Sequence, residues 1–160
     1  MRYLSIIDLL DREILALLQE DAGLSVREIG KRIGLTPTPC WRRIQNLEAA
    51  GVIRGRVALM DPAALNVAVT VIVQIRTSNH SAAWLEGFQA ALDNLPEIVE
   101  AYRTSGETDY LLKVVVPDIG AYDGFYKRLI EFVDLLDVRS TFVMEELKQT
   151  TALPLTYATD

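Results

Sequence analysis

The sequence predicts an α+β protein of two domains: an N-terminal winged helix-turn-helix followed by a C-terminal ferredoxin-like βαββαβ domain. Two observations support this fold class. Over the first 60 of the 160 residues, apolar side chains recur at helical spacing, and after Met60-Asp61-Pro62 strand-like and helix-like stretches alternate. We therefore divide the chain into residues 1–60, which end in a linker strand, and residues 61–160.

The first two helices are predicted from residues at their ends. Asp8 is a suitable N-cap for a helix that ends before Gly23, because glycine is common just beyond helix C-termini. Ser25 and Glu28 stand three positions apart, which is the spacing of a capping box. The helix that they open is predicted to end at Gly34.

A third helix is predicted from its N-cap, Thr36, to Ala50, although two prolines lie in its first turn. Proline is tolerated there because the amides of the first turn have no partner inside the helix. The following residues, 52–59, alternate in polarity and predict an extended strand.

The second domain is predicted to run strand, helix, strand, strand, helix, strand. The predicted strands are 67–77, 98–105, 110–116 and 138–147, and the helices are 81–95 and a segment capped by Asp118. In the first helix, Leu85, Phe88, Leu92 and Leu95 share an apolar face. Both helices are expected to cover one face of the sheet, which leaves the other, also apolar, to pair two copies of the chain.

Composition excludes several classes of protein. Half of the residues are hydrophobic and 24% are charged, which excludes a disordered chain. No apolar run approaches the roughly 18 residues of a membrane span, and no secretory signal is visible. One cysteine cannot form an internal disulfide, and one cysteine with one histidine is too few for zinc. We therefore expect a cytoplasmic protein without a membrane partner or a metal.

Catalytic motifs are absent from the sequence. No nucleophile is paired with a base, and no phosphate-binding glycine motif occurs. His80 precedes a predicted helix, where a surface residue is a simpler interpretation than a general base. The chain is predicted not to be an enzyme and to use no cofactor.

The charge is unevenly distributed along the chain. The net charge of −6 argues against a nucleic-acid partner, but residues 1–60 carry +2 and residues 61–160 carry −8. Within residues 27–56, seven basic side chains are opposed by two acidic ones. A local basic patch on an acidic chain is typical of a nucleic-acid-binding domain.

The third helix carries side chains suited to reading DNA. Arg, Gln, Asn and Thr on its polar side match base edges in the major groove, and its N-terminus offers free amides to a phosphate. Basic residues of the second helix and of the strand, acting as a wing, are expected to contact the backbone. The predicted DNA-binding residues are Arg27, Lys31, Arg32, Thr36, Thr38, Trp41, Arg42, Arg43, Gln45, Asn46, Arg54 and Arg56. A solvated helix face is the alternative, and the three-helix order with the tight turn Gly34-Leu35 favours DNA.

Two residues of this helix have simpler structural interpretations. Trp41 lies on its flank, where it either packs on the DNA backbone or covers the edge of the small core, and the second is favoured. Cys40 lies on the inner side and is predicted to be a buried hydrophobic residue rather than a redox sensor.

The loop Ser105-Gly106-Glu107-Thr108-Asp109-Tyr110 is a second candidate site. The simplest interpretation is a hairpin turn, in which Gly106 supplies a residue with a positive φ. It also clusters two carboxylates, two hydroxyls and free backbone amides beside Tyr102 and Tyr110. Because a carboxylate binds an ammonium group and loop amides bind a carboxylate, the composition suits an amino acid as well as a simple turn.

Five blocks of the sequence together resemble the Lrp/AsnC family of bacterial and archaeal feast/famine transcriptional regulators. They are LLDREIL at residues 9–15, GLTPTPCWRR at 34–43, LEAAGVI at 47–53, SGETDYLL at 105–112 and VMEELK at 143–148. The blocks keep the family's order and extend over nearly the whole chain. Residues 38–41, 122–129 and 150–154 are further similar to a cysteine-responsive subgroup of that family.

The resemblance implies an N-terminal winged helix-turn-helix, with residues 24–43 as the motif, and a C-terminal ligand-sensing domain called RAM. It implies a homodimer that forms through the sheets and assembles to a tetramer or octamer, with amino acids bound between dimers. Transferred to this chain, the implied effector-binding residues are Gly106, Glu107, Asp109 and Tyr110, with Tyr102, Ser140 and Thr141 beside them. The implied effector is cysteine or another small amino acid.

We therefore expect a sequence-specific regulator of transcription that binds double-stranded DNA and is modulated by a small amino acid. The alternative is an amino-acid-sensing assembly protein whose N-terminal helices bind a protein partner. Salt dependence separates them, because binding that neutralises several DNA phosphates weakens steeply with salt.

Overall fold

The computed structural model describes residues 7–158, so the outer ends of both predicted domains lie outside the described residues. The chain forms two compact units. Among the described residues, the first comprises 7–58 together with 148–158, and the second is Leu59–Leu147. The C-terminal segment therefore packs with the N-terminal helices, a placement that the division of the sequence at residue 60 did not include.

The first unit contains three helices, α1 (Leu9–Glu20), α2 (Val26–Ile33) and α3 (Pro37–Ala49). Their predicted starts are confirmed. The Asp8 carboxylate accepts from the Asp11 amide, and Ser25 forms a reciprocal capping box with Glu28. The helix α2 ends at Gly34, whose φ of 74° is in the left-handed region. Thr36 is the N-cap of α3, but its side chain makes no capping hydrogen bond.

A small apolar core holds the three helices together. Each contributes fully or almost fully buried side chains, namely Ile14 from α1, Ile29 from α2, and Cys40, Ile44 and Leu47 from α3. The prediction that Cys40 is a buried hydrophobic residue is confirmed, since the residue is 0% exposed and burial raises the pKa of its thiol.

The expected strand over residues 52–59 is not formed, so this prediction is wrong for the described part of the chain. Val57 and Leu59 in this segment remain strongly exposed. Alternating polarity produces a strand only where a neighbouring strand accepts its hydrogen bonds, and no strand of residues 7–158 lies beside this segment.

The second unit has the predicted βαββαβ order. Its elements are β1 (Val69–Arg76), α4 (Ala82–Asn94), β2 (Ile98–Arg103), β3 (Tyr110–Val116), α5 (Ile119–Phe132) and β4 (Asp137–Phe142). They form one antiparallel sheet in the order β2-β3-β1-β4. The fourth strand ends at Phe142 rather than at residue 147. No helix among the described residues is long and apolar enough to span a membrane.

Alternate residues of the central strands form the core of the second unit. Val71, Val73 and Ile75 of β1 are completely buried and pack with Phe125 and Leu129 of α5. Their neighbours in β1, such as Ile72 and Gln74, point to the opposite face, which we call the open face of the sheet.

The inward face of α4 differs from the prediction. Leu85 is 45% exposed, whereas Trp84 and Ala91 are buried beside Phe88 and Leu95. Positions 84, 88, 91 and 95 follow the i, i+4, i+7, i+11 spacing of a helix face. The indole of Trp84, which is larger than the Leu85 side chain, therefore lies on the core side. The Trp84 indole Nε1 donates to the Asp134 carbonyl at 2.8 Å, which satisfies its polar atom inside the core.

The C-terminal segment is fastened to α1. The Gln19 side chain donates to the Leu153 carbonyl at 3.2 Å and accepts from the Leu153 amide at 2.7 Å. Leu155 packs against the small core of the first unit. The first unit is thus completed by residues that follow the second unit in the chain.

Replacement of Gln19 by alanine removes both hydrogen bonds and is expected to destabilise the docked C-terminal segment by about 1 kcal/mol. Hydrogen exchange of the amides at residues 153–158 measures this effect as faster exchange. Gln89→Ala, which removes a side chain bonded to Asp93 within α4, is the control and leaves that exchange unchanged. Equal exchange in both variants would contradict the anchoring role of Gln19.

Candidate functional site

One side of α3 is exposed and polar, and the other is buried. The buried side is Cys40, Ile44 and Leu47. We call four of the exposed residues on the opposite side, Thr38, Trp41, Arg42 and Gln45, the α3 outer face. Asn46 is also exposed and lies at the edge of this face.

The position of α3 depends on a close approach between α2 and the turn that follows it. The Leu35 amide donates to the Gly30 carbonyl at 2.8 Å. A Cβ atom on Gly30 would lie 2.7 Å from the Leu35 carbonyl oxygen and 3.6 Å from the Cys40 Cβ. Only glycine therefore fits here, and its absence of a side chain sets the distance at which α3 crosses α2.

Arg43 connects α3 to the start of α1. Its Nη1 lies 2.8 Å from Asp8 Oδ2 and 2.8 Å from Asp11 Oδ1, the two carboxylates of the α1 capping box. The Asp11 and Asp8 carboxylates raise the pKa of the Arg43 guanidinium. The prediction that Arg43 contacts DNA does not fit this arrangement, because the guanidinium is already held inside the unit.

Arg43→Ala is expected to lower the stability of the first unit by about 1 kcal/mol, since the three side chains are only partly buried. The backbone amide of Asp11, followed by Arg43, holds the pKa of Asp8 below its usual 3.8. A lowered carboxyl pKa stabilises the fold above the unfolded value and loses this contribution as pH falls through the folded value. Urea unfolding should therefore show a difference between wild type and Arg43→Ala at neutral pH that shrinks below pH 3.8. A difference that grows on acidification would contradict the ion-pair assignment.

Several predicted phosphate-binding residues are exposed around α3. Arg27, Lys31 and Arg32 of α2 form no ion pair within residues 7–158, and Arg54 likewise has none there. Arg56 differs, because its Nη2 lies 3.1 Å from Glu48 Oε1. Four of these five basic side chains are thus free to meet anions.

Glu48 also receives a hydrogen bond from the α3 outer face. The Gln45 Nε2 donates to Glu48 Oε2 at 2.8 Å. Glu48 therefore orients both Gln45 and Arg56 in the free protein, and either contact has to open before that side chain binds a base or a phosphate. Arg42 forms no such contact within the described residues.

Trp41 does not cover the core, contrary to the favoured prediction. Its side chain is 54% exposed on the α3 outer face. The other possibility, a contact with the DNA backbone, is consistent with this position.

The loop between β2 and β3 is held by Asp109. Its Oδ2 accepts from the Thr77 amide at 2.8 Å, and its own amide donates to the Ile75 carbonyl at 3.0 Å. The His80 Nε2 lies 4.0 Å from Asp109 Oδ1. Gly106 has the predicted positive φ, 113°. Asp109 therefore fastens this loop to the end of β1.

Tyr110 does not face the loop. It is 6% exposed, and its ring packs against Phe88 and Trp84 with centroid distances of 4.6 and 5.5 Å. The prediction of Tyr110 as an effector contact is therefore wrong for its side chain, because position 110 has the parity of the core face in β3.

Of the remaining predicted effector residues, one lies on the helix side of the sheet and two lie on the open face. Ser140 lies on the helix side, where its hydroxyl hydrogen-bonds Tyr122. Thr141 is the partner of Ile72 and lies on the open face. Tyr102 also lies on the open face and hydrogen-bonds Glu100 at 2.7 Å. The structure does not gather these three residues around one ligand.

A small cleft of about 60 Å³ lies at the loop instead, on the open face. We call it the loop cleft, and its lining residues are Gln74, Arg76, Glu107, Thr108, Asp137 and Arg139. The strand residues face each other directly, because Arg76 pairs with Asp137 and Gln74 with Arg139 in the sheet register. Sequence reasoning found only Glu107 and its neighbour Thr108. The missed signal was the pair of polar residues at alternate positions near the end of the strand, Gln74 and Arg76.

Comparisons with known proteins agree with this architecture. A family model described as Lrp/AsnC ligand binding domain matches residues 70–153, and one described as winged helix-turn-helix DNA-binding matches residues 7–54.

No group of three or more metal-ligating side chains occurs within residues 7–158.

Individual relatives carry regulatory names. The DNA-binding transcriptional activator DecR of Escherichia coli K12 is 44% identical over 93% of this chain and 99% of its own. The glutamate uptake regulatory protein of Zymomonas mobilis is 46% identical over 96% of this chain and 94% of its own.

A solved structure supports the fold and the family. The crystal structure of the transcriptional regulator NMB0573 from Neisseria meningitidis, in complex with L-Met, has a TM-score of 0.89 at 34% identity and covers 94% of this chain and 97% of its own. This chain therefore belongs to the Lrp/AsnC family of transcriptional regulators, with an N-terminal helix-turn-helix for DNA and a C-terminal ligand-binding domain.

Proposed function

We propose that this regulator reads its DNA site through the α3 outer face, with Asn46 beside it. The exposure of Thr38, Arg42 and Gln45 opposite a buried apolar stripe is the observation that supports this assignment most strongly. Arg42 matches the O6 and N7 atoms of guanine and Gln45 matches adenine, so these two side chains are the proposed base readers.

Phosphate contacts are proposed for the surrounding basic and polar residues. They are Arg27, Lys31, Arg32, Thr36, Arg54 and Arg56. Arg43 is left out, because two carboxylates hold it at α1. Trp41 is proposed to lie against sugar or backbone at the edge of the same surface.

We propose a homodimer as the DNA-binding species, assembling further to a tetramer or octamer, in the cytoplasm. The division into a DNA-binding part, residues 1–60, and a sensing and assembly part, residues 61–160, is part of this proposal, with the C-terminal segment docked on the former. Two α3 helices related by a two-fold axis enter successive major grooves, so the half-sites lie about one helical turn apart.

The effector is proposed to be a small amino acid bound at the loop cleft. Glu107 suits its ammonium group and Arg76 its carboxylate, and the NMB0573 complex shows that a relative of this fold binds an amino acid. Cysteine is one candidate for this effector. Binding of the effector is proposed to shift the equilibrium between assemblies, with a coupling free energy of about 1–3 kcal/mol. By linkage, DNA binding changes the affinity for the effector by the same factor.

The DNA-binding part of this proposal is tested with a duplex selected from a random-sequence pool, by measuring how its affinity for the protein depends on salt. Contacts with several phosphates predict that affinity falls steeply, by about 10³-fold or more between 50 and 200 mM salt for six or more contacts. If no duplex is retained at low salt, and a partner protein is bound instead, the helices of the first unit recognise protein rather than DNA.

Asp109→Ala is expected to abolish the effector response and to leave DNA binding unchanged. Loss of the carboxylate frees the Thr77 amide and releases the loop that carries Glu107. Gel-shift titrations with and without the effector measure both properties in one experiment. Asp123→Ala, on the exposed side of α5, is the control. A normal response in Asp109→Ala would show that the loop does not form the site.

A further inference from the structure

The chain passes between its two units twice. Residues 54–68, which we call the first link, run from Ile53 of the first unit to β1 of the second. Residues 144–152, the second link, run from the segment after β4 back to Leu153 of the first unit. Neither link contains a helix or a strand. The first unit is therefore attached through two segments of the chain rather than one.

Both links meet the second unit at the same end of the sheet. The first link ends at the start of β1, and Thr70 is the second residue of that strand. The Val143 amide, which directly precedes the second link, donates to the Thr70 carbonyl at 2.9 Å. Phe142 is the partner of Val71 in the sheet register. The pairing of β1 with β4 thus holds the end of the first link beside the start of the second.

Both links also meet the first unit at one place. A groove of this unit, along α1, is lined by residues 52–57, where the first link begins, and by Leu153 and Leu155, where the second link ends. Ile53 and Leu155 pack against the small core. The Gln19 side chain holds the backbone of Leu153 through its two hydrogen bonds. Each link is thus anchored at both ends, beside the anchors of the other.

Two anchored links restrict rotation more than one link does. A unit held by a single link swivels about it, with a reach that depends on the length and stiffness of that link. A second link opposes this rotation, because its own anchors would have to separate. Two recognition helices that are held in this way bind two half-sites together only where the DNA matches their separation, since simultaneous binding is lost when the geometry forbids it.

We propose that the second link, through its anchorage by Gln19 and Leu155, determines how strictly the dimer discriminates the distance between its two half-sites. This inference rests on the proposed function, because it presupposes that a dimer binds DNA with two α3 helices. Gln19 and Leu155 lie outside the proposed DNA contacts and are positioning residues. The α3 outer face recognises the bases, and the anchored C-terminal segment recognises the spacing.

The proposal is tested by changing the distance between half-sites. A duplex is selected from a random-sequence pool with the wild-type protein, and 5 base pairs, about half a helical turn, are then inserted between its half-sites. The wild-type protein is expected to bind the inserted duplex about 10-fold or more weakly. Gln19→Ala/Leu155→Ala, which releases the C-terminal segment, is expected to lose about 3-fold or less. A duplex with one half-site should bind both proteins equally, because α3 is unchanged.

A second variant leaves every anchoring contact in place. Insertion of Gly-Ser-Gly-Ser-Gly-Ser between Lys148 and Gln149, which are both exposed, lengthens the second link with a flexible segment. It is expected to reduce the effect of the inserted base pairs in the same way. This variant decides the test if Gln19→Ala/Leu155→Ala does not fold.

Each variant has a matched control. Leu85→Ala/Gln89→Ala makes the same two types of substitution on the exposed side of α4 in the second unit. The same Gly-Ser segment appended after Asp160 adds equal length to the chain and lengthens neither link. Both controls are expected to discriminate the two spacings as the wild-type protein does.

The remaining outcomes separate this inference from the proposed function. An undiminished spacing effect in either folded variant overturns the inference, and so does a loss of binding to the single half-site in the insertion variant. A wild-type protein that binds both spacings equally also overturns it, while DNA binding by α3 stands. If the wild-type protein retains no duplex at all, the proposed function fails together with the inference.

Discussion

Gly30→Val is expected to destabilise the first unit by about 3 kcal/mol and to remove specific DNA binding with it. The new Cβ would lie 2.7 Å from the Leu35 carbonyl oxygen, a backbone atom that cannot rotate away. The turn between α2 and α3 would have to open, and α3 would leave its position on the core formed by Cys40 and Ile44. This substitution therefore tests the close approach on which the position of the α3 outer face depends.

Gly124→Val provides the matched control for this substitution. Gly124 lies in α5, and nothing comes within 4 Å of a Cβ atom built on it. The stability of this variant is expected to stay within about 0.5 kcal/mol of wild type, as for other exposed positions. Hydrogen exchange of the amides in α2 and α3 measures the first unit separately from the second. Wild-type exchange in Gly30→Val would contradict the steric argument.

Arg42→Ala is expected to weaken binding to the specific DNA site by about 1–3 kcal/mol, which is 5- to 150-fold. Arg42 is exposed and forms no ion pair within the described residues, so its guanidinium is available to fork onto a guanine. Its loss should relax specificity at one base position in each half-site, whereas binding to unrelated DNA changes little. Competition gel shifts against specific and unrelated duplexes measure the two affinities.

Arg27→Ala is the comparison for Arg42→Ala. Arg27 lies on α2 and is a proposed phosphate contact, so its loss should weaken specific and unrelated duplexes by a similar factor and reduce the salt slope by about 1. If Arg42→Ala also weakened both duplexes equally, Arg42 would contact the backbone and not a base.

Local sequence signals predicted the helices well. The capping residues Asp8, Ser25 and Asp118 each accept the backbone hydrogen bond that their position implies. These contacts span three residues, so they are readable from the sequence without knowledge of the fold. The order of elements in the second unit was predicted for the same reason, because strand and helix periods differ.

Contacts between distant residues were not predictable in the same way. The strand over residues 52–59 and the end of the last strand depend on hydrogen-bonding partners that no local pattern specifies. Tyr110 was assigned to the effector from its place in the loop motif, but strand parity directs its ring into the core.

The two functional sites differ in how far sequence reasoning extended. The polar side of α3 follows from helical periodicity, but the ion pairs that commit Arg43 to Asp8 and Asp11 join residues more than 30 positions apart. The loop cleft unites three chain segments, at residues 74–76, 107–108 and 137–139. The sheet register places Gln74 beside Arg139 and Arg76 beside Asp137, and these residues line the same cleft as Glu107. Composition alone therefore identified the loop and missed the strands.

Two copies of the α3 outer face are proposed to read bases in the major groove, at a separation matched to the DNA helix. Dimethyl sulfate interference tests it directly on a duplex selected from a random-sequence pool, because the reagent methylates guanine N7 in the major groove and adenine N3 in the minor groove. N7 methylation is expected to block binding of the protein at two clusters about one helical turn, or a multiple of it, apart. Interference confined to the minor groove, or a protein–DNA complex in which Thr38, Arg42 and Gln45 face protein rather than DNA, would contradict it.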